Sequence, residues 1–381
     1  MRGHADDQPP LFHVFCVEDR IRPDHPLRDI KRRVDRILDG MTAAFDAAYS
    51  RTGRPSVPPE RLLKALLLMA LYSVRSERQL CERIDTDLLF RWFLDLQPSD
   101  AAFDATTFTH NRARLDAHAL TKAFFAAVVR EALTAGLCSE HFSVDGTLIE
   151  SFAAAKSFRP IPADGEDPPS DANGFQPRNP EVDFHGQART NATHRSTTDP
   201  EARLYRKGWG KEARLSHMGH TLGENRHGLI LAVRVTEATG TAEREAALAM
   251  LDAVKESHAV RPATLGADKG YDSGEFFREL EERRIEPHVP LVKAPRDPST
   301  VPNPTHRPGV EARQRMTARL TSEGYRLSQK CRKKIEEGYG WLKTVAGLDR
   351  SRVVGRWKLT QLMEVGAAAY NLVRMRRLAP A

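Results

Sequence analysis

The sequence predicts a mixed α/β protein in which an all-helical part precedes a sheet-bearing part. Three observations carry that reading. Residues 1 to about 135 read almost wholly helical, the texture turns strand-like just after Cys138, and the order from there is strand, hairpin, helix, strand, helix, strand, helix. No internal repeat period appears.

Each element has its local reason. "VPPERLLKALLLMALYSV" is apolar nearly all round, as the central helix of a bundle is. "RSERQLCERI" sets Ser76 and Gln79 at capping-box spacing and puts Leu80 and Ile84 on one face. "DLLFRWFLDL" is a third helix, and a fourth is expected from near Thr107 to Gly136. Short helices on short polar turns make a compact bundle. At this point a DNA-reading helix-turn-helix and a bundle that never touches DNA are both open.

Beyond Cys138, "HFSVDGTLIES" reads as a strand with Phe142 and Val144 on one side of the pleat. The stretch from about 152 to 200 is rich in Pro, Gly, Asp and Asn and poor in aliphatics. It is expected to be a flexible insertion, disordered without DNA. "RLSHMGHTLGENRHGLILAVRVTEA" is a hairpin turning at "ENRHG". There follow an amphipathic helix ("TAEREAALAMLDAVKES"), a short strand ending in Asp268 ("RPATLGADKGYDS"), a helix ("SGEFFRELEERR") and a strand ("EPHVPLV"). A Pro- and Arg-rich loop leads to a long helix from about Gln329 to Thr344, and a last helix runs from about Trp357 to Arg377.

Composition narrows the class. Hydrophobic residues at 40% and charged residues at 29% fit an ordinary globular protein. The formal net charge is +7, and from His306 onward Lys and Arg outnumber acids 17 to 6, a footprint for a polyanionic partner. The four cysteines, Cys16, Cys81, Cys138 and Cys331, form no close pair, which argues against a disulfide framework or zinc knuckle and for a reducing cytoplasm. The N-terminus lacks the apolar core of a signal peptide, and the longest apolar run is about half a membrane span and contains Lys64. A membrane partner is therefore not expected. His217 and His220 fall on opposite faces of a strand, which argues against a shared zinc, and no Gly-rich nucleotide motif points to ATP.

Three acids stand at parallel places. Asp145 is read as ending the first strand and Asp268 the fourth, while Glu336 lies in "SQKCRKKIEEGYGWLKT". Carboxylates at adjacent strand ends converge in a mixed sheet, and a helix packed across them adds a third. Hard divalent cations take such oxygen ligands and keep several waters. The plainer readings are that Asp145 before Gly146-Thr147 is a turn acid, that Asp268 is a helix-entry acid with Asp272 as its competitor, and that Glu336 makes a solvated ion pair with Arg332, Lys333 or Lys334. Arg332, Glu336, Gly340 and Lys343 share one helical face, with Gly340 leaving room for close backbone approach.

Taken in order, these segments resemble a bacterial insertion-sequence transposase of the DDE class, in the IS-four/IS-five-like grouping. "GRPSVPPERLLKALLLMALYSVRSERQLCERIDTDLLFRWFLDL" and "DATTFTHNRARL" resemble its N-terminal helical domain, and "SVDGTLIES" and "LGADKGYDS" its two aspartate strands. "RKKIEEGYGWLKT" resembles its glutamate helix, with Arg332, Glu336 and Lys343 at the motif's spacing and Gln329 where the motif has Tyr. The resemblance implies an RNase H-like core over 138–381 behind a DNA-binding helical domain over 1–135. It implies that Asp145, Asp268 and Glu336 bind two Mg²⁺, with Mn²⁺ able to substitute, and that Arg332 and Lys343, with Lys333 and Lys334, meet DNA phosphates. It further implies cutting at terminal inverted repeats, joining of 3′-hydroxyl ends to target DNA, and a homodimer on DNA. A catalytically inactive DNA-binding regulator or element remnant is the alternative.

Overall fold

A computed structural model describes residues 16–50, 52–53, 56–161, 190–206, 208 and 212–378. Eight helices come first: α1 (Val17–Arg20), α2 (Pro26–Asp39), α3 (Thr42–Ala48), α4 (Pro59–Leu71), α5 (Glu77–Thr86), α6 (Leu88–Phe93), α7 (Ala105–Ala117) and α8 (Leu120–Thr134). The capping expectation holds for α5, where Ser76 Oγ accepts from the Gln79 N–H at 3.1 Å and Leu80 and Ile84 are fully buried. The single helix expected from Thr107 to Gly136 is two, because Ala119 takes a left-handed conformation (φ 48°) and breaks the run between α7 and α8. In α4 even Lys64 is buried, paired at 2.5 Å with both Asp35 and Asp95.

The sheet follows. Strand β1 (His141–Glu150) lies between β5 (Arg214–Glu224), antiparallel to it, and β7 (Thr264–Gly266), parallel to it. Strand β6 (Ile230–Glu237) pairs antiparallel with the far edge of β5, and β8 (Glu286–His288) runs parallel to β7. The order β6-β5-β1-β7-β8, with three antiparallel strands and then two parallel to the first, is the RNase H-like arrangement. A short strand, β4 (Arg203–Tyr205), pairs antiparallel with β5 at Arg214–Ser216, beyond the stretch of β5 that pairs with β6. The hairpin turns at "ENRHG" as expected. The buried Glu224 carboxylate holds that turn by accepting from the N–H groups of Arg226, His227 and Leu229.

Helix α9 (Ala242–His258) crosses from β6 to β7, and α10 (Gly274–Glu282) crosses from β7 to β8. The loop expected after β8 contains a helix the sequence pattern did not announce, α11 (Arg307–Arg319), which packs on α10. The close approach there needs glycine: a Cβ on Gly274 would stand 2.2 Å from the Gly309 carbonyl oxygen. The long helix expected from Gln329 to Thr344 is α12 (Glu323–Cys331) and α13 (Lys334–Thr344), joined by a tight turn at Arg332-Lys333. Both turn residues keep helical dihedrals, and the Ile335 and Glu336 N–H groups bond three residues back.

Of the insertion expected at 152–200, residues 162–189 lie outside the described residues. Its two flanks are ordered as a ribbon of β2 (Phe158–Pro160) and β3 (His194–Ser196), packed through Ala153, Phe158, Ala202 and Leu215. Helix α14 (Arg356–Leu378) lies between the helical part and the sheet, touching α2, α4 and α8 on one side and β6 and α13 on the other. That helix is buried nearly all round from Met363 to Leu372, and one continuous core runs from Val17 to Met375. Among the described residues no helix is long and apolar enough to cross a membrane.

Asn371 of α14 closes the edge of β6. Its side-chain amide accepts from the Ile230 N–H at 2.9 Å and donates to the Ile230 carbonyl at 2.7 Å, doing for a buried edge what a further strand would do. Asn371→Ala orphans both groups and is expected to cost about 2 kcal/mol or more, read as a lowered denaturant midpoint.

Candidate active site

The site forms where β1 and β7 part. Their pairing covers only His141–Ser143 against Thr264–Gly266, after which the Ala267 N–H bonds to the His288 carbonyl of β8. Asp145 therefore does not end its strand, as the sequence reading had it. It sits in the middle of β1, opposite Thr221 of β5, at the first level where the β7 side is open. Asp268 lies two residues beyond β7 and caps the short turn of helix that follows, accepting from the Gly270 N–H at 2.7 Å. The two aspartates are thus brought to one end of the parallel pair.

Helix α13 is laid over β1 by Ile335, Gly338, Tyr339 and Leu342, and the Tyr339 hydroxyl donates to the Asp145 carbonyl. Glu336, exposed on the same helix, is near enough to add to the rise of the Asp145 carboxyl. The adjacent Glu337 is committed elsewhere, pairing with Arg374 at 2.9 Å. Glu336 makes no ion pair among the described residues, so the solvated-pair reading with Arg332 does not hold. Arg332, at the turn between α12 and α13, acts electrostatically on Asp145 instead, and its buried Nε has no hydrogen-bond partner.

Asp272, the local competitor of Asp268, is committed elsewhere. It pairs with Arg313 at 2.7 Å and accepts from the Val292 N–H, fastening α11 and the loop after β8. Gln329, standing where the family motif has Tyr, donates to the His288 carbonyl and so anchors α12 beside the end of β7. Lys333 is exposed, whereas Lys334 donates to the Arg226 carbonyl in the hairpin turn. Lys343 is half-buried further along α13. A Cβ on Gly340 would meet nothing within 4 Å, so that glycine faces open space, while Gly338 is the one that packs, against Ile230 and Tyr370. Arg374 pairs with Glu337 and donates to the His227 carbonyl. His217 and His220 take separate partners, Asp199 and Thr236.

One acid at the site was not anticipated. Glu243, in the first turn of α9, stands against Gly146 and Gly270, the neighbours of the two aspartates. In the sequence it is one of several acids in an amphipathic helix, and only the path of the chain distinguishes it.

Electrostatics follow from this crowding. Burial pushes the Asp145 carboxyl up to about 6; Asp268 and Glu336 add to the rise, while the Gly146 N–H and Arg332 oppose it. Burial, then Asp268 and Asp145, also hold Glu243 above the usual carboxylate range. Among the described residues no three His, Cys, Asp or Glu side chains are drawn tightly round one point. The acids near Asp145 are all carboxylates, oxygen donors of the kind hard divalent cations take.

An RNase H-like sheet with carboxylates at the point where its parallel strands diverge defines a class of metal-dependent enzymes acting on nucleic-acid phosphodiesters. The family models give the particular one. A model described as "Transposase DDE domain" matches residues 188–372, and a second, "Transposase domain (DUF772)", matches residues 15–114. The chain belongs to the DDE transposases, divalent-metal-dependent enzymes of DNA transposition. Asp268 and Glu336 lie within the first span, whereas Asp145 falls between the two.

No protein with a curated description matches the sequence. Among solved structures, a Mos1 transposase paired-end complex with the left transposon end is 12% identical, with 87% of this chain and 90% of that one covered and a TM-score of 0.21. The Mos1 strand transfer complex is 10% identical over 83% and 86%, with a TM-score of 0.20. Scores so low carry no argument about this site.

The raised Asp145 sets a direct test. Its folded-state value of about 6 exceeds the ordinary 3.8, so the metal-free fold is favoured at low pH and loses that advantage as pH rises through 6. Full ionisation costs on the order of 3 kcal/mol. In EDTA, Asp145→Asn is expected to denature at a higher midpoint than the parent at pH 8, with the gap closing toward pH 4. Melts at the two pH values check it.

Proposed function

We propose that Asp145, Asp268 and Glu336 are the carboxylates of a two-metal centre that cuts DNA at the element's terminal inverted repeats and joins the freed 3′-hydroxyls to target DNA. The observation that carries this reading is the parting of β7 from β1 beside Asp145, which leaves Asp145 and Asp268 at one end of the parallel pair while Glu337, the neighbour of Glu336, is taken up by Arg374. Bound there, Mg²⁺ or Mn²⁺ would supply a more acidic attacking water or hydroxyl and charge neutralisation at the leaving oxygen.

The chain's own residues do the rest. In the cut, a water oxygen bonds to phosphorus as the bond to the 3′-oxygen breaks, and the proton lost by the water is balanced by the one gained at the new 3′-hydroxyl. In the joining, that hydroxyl attacks a target phosphate and a target 3′-oxygen leaves. The joining makes one phosphodiester for the one it breaks, so it needs no ATP, in keeping with a sequence that has no ATP motif. Arg332, whose Nε is unpaired, and the exposed Lys333 are assigned to the phosphates flanking the scissile bond, with Lys343 further along the same helix. The helical part, matched over residues 15–114 by a transposase domain model, is assigned to recognition of the ends. Two ends cut in concert call for a homodimer on DNA.

A supercoiled plasmid carrying the gene's own flanking DNA tests this in Mg²⁺ or Mn²⁺. The parent protein is expected to cut at inverted repeats, and Glu336→Gln to lower cutting at least a hundredfold while still binding the ends. Tight binding without cleavage by the parent would instead mean an inactive regulator. Cleavage unaffected by the substitution would mean that Glu336 is the wrong acid.

A further inference from the structure

A cavity of about 380 Å³ is lined by none of the carboxylates described above and lies between the helical part and the segment that joins α13 to α14. Its size falls in the range of small-ligand pockets, about 300–1,000 Å³. Aliphatic side chains of α4 and α14, Leu66 and Val365 among them, supply an apolar wall. The charged lining is one-sided: Arg75, Arg112, Arg350, Arg352 and Lys358 against the single acid Glu77, five cations to one, a surplus of four.

Those cations differ in depth. Arg75, Arg350 and Arg352 are exposed and stand at the mouth, whereas Arg112 of α7 is only 3% exposed. Arg112 Nη2 pairs with Glu77 Oε1 at 2.7 Å, but its buried Nε and Nη1 have no hydrogen-bond partner among the described residues. Glu77 cannot supply a second bond, because its Oε2 accepts from the Thr109 hydroxyl at 2.7 Å. A buried guanidinium with two donors unmet is costly, and the planar anions that answer its fork are carboxylates and phosphates. Of the other four cations, Arg350 alone has an acidic partner among the described residues, Glu150 at 3.7 Å. So large a surplus suits a doubly charged phosphate better than one carboxylate, and the aliphatic wall calls for a flat or apolar body attached to it.

We propose that this cavity binds a nucleoside phosphate, its phosphate oxygens on the free Arg112 donors and the cations of the mouth and its base against the aliphatic wall. The site shares no residue with the carboxylate centre, so neither reading depends on the other. In EDTA, dTMP, thymidine, inorganic phosphate and single-stranded pentathymidylate are each titrated calorimetrically into the whole protein. Saturable binding of dTMP is expected, tighter than that of thymidine or phosphate alone. Arg112→Gln is expected to weaken it about tenfold or more, as the loss of charge-assisted hydrogen bonds does. That substitution also strands Glu77, so a double variant at the mouth, Arg352→Ala with Lys358→Ala, is measured beside it and decides the matter should Arg112→Gln fail to fold. Pentathymidylate binding tighter than dTMP, with the same loss in the variants, would make a DNA strand the source of the nucleotide. Binding of dTMP at least as tight would make the source a free nucleotide. No saturable binding of either by the parent, or binding in the folded variants equal to the parent's, would overturn the proposal.

Discussion

The structure depends on holding like charges together. Asp145 and Asp268 lie at one end of the parallel strands β1 and β7, Asp268 and Glu336 both raise the Asp145 carboxyl, and Arg332 opposes them. Such a cluster opposes folding, so the surrounding elements must fix it. The sheet does so by letting β7 leave β1 after Gly266, which opens a gap beside Asp145. Tyr339 and Gln329 do so from the other side, each bonding a main-chain carbonyl at the rim.

Helix α14 makes that frame possible. Buried nearly all round, it joins the first helices to the sheet in one core, and its Asn371 seals the β6 edge while Arg374 restrains Glu337. The helical part and the sheet therefore share a foundation, and a change in one is felt in the other. The basic C-terminal third is correspondingly less free than its charge count implies. Arg313, Arg315, Arg350, Arg356 and Arg374 all have acidic partners within the chain.

Much of this was legible in the sequence, for definite reasons. Strands and helices with strong periodicity, such as β1, the β5-β6 hairpin, α4 and α9, announced themselves because burial alone specifies them. The spacing of Arg332, Glu336 and Lys343 carried the family resemblance even though the helix is interrupted at Arg332. Three things were not legible. Ala119 breaks a helix with no glycine or proline to mark it. The persistence of β1 beyond Asp145 reflects pairing with β5, a strand some seventy residues on, whereas local chemistry favoured a turn at Gly146. The surroundings of Asp272 and Glu243 depend on which distant residues fold against them, Arg313 in one case and two glycines in the other.

The most direct measurement is the crystal structure of the protein grown with Mn²⁺, read by anomalous scattering. The account predicts peaks bonded to Asp145 and Asp268, with Glu336 turned to the same ions and Glu337 still on Arg374. Manganese bound elsewhere, with the space between the two aspartates filled by water alone, would contradict it.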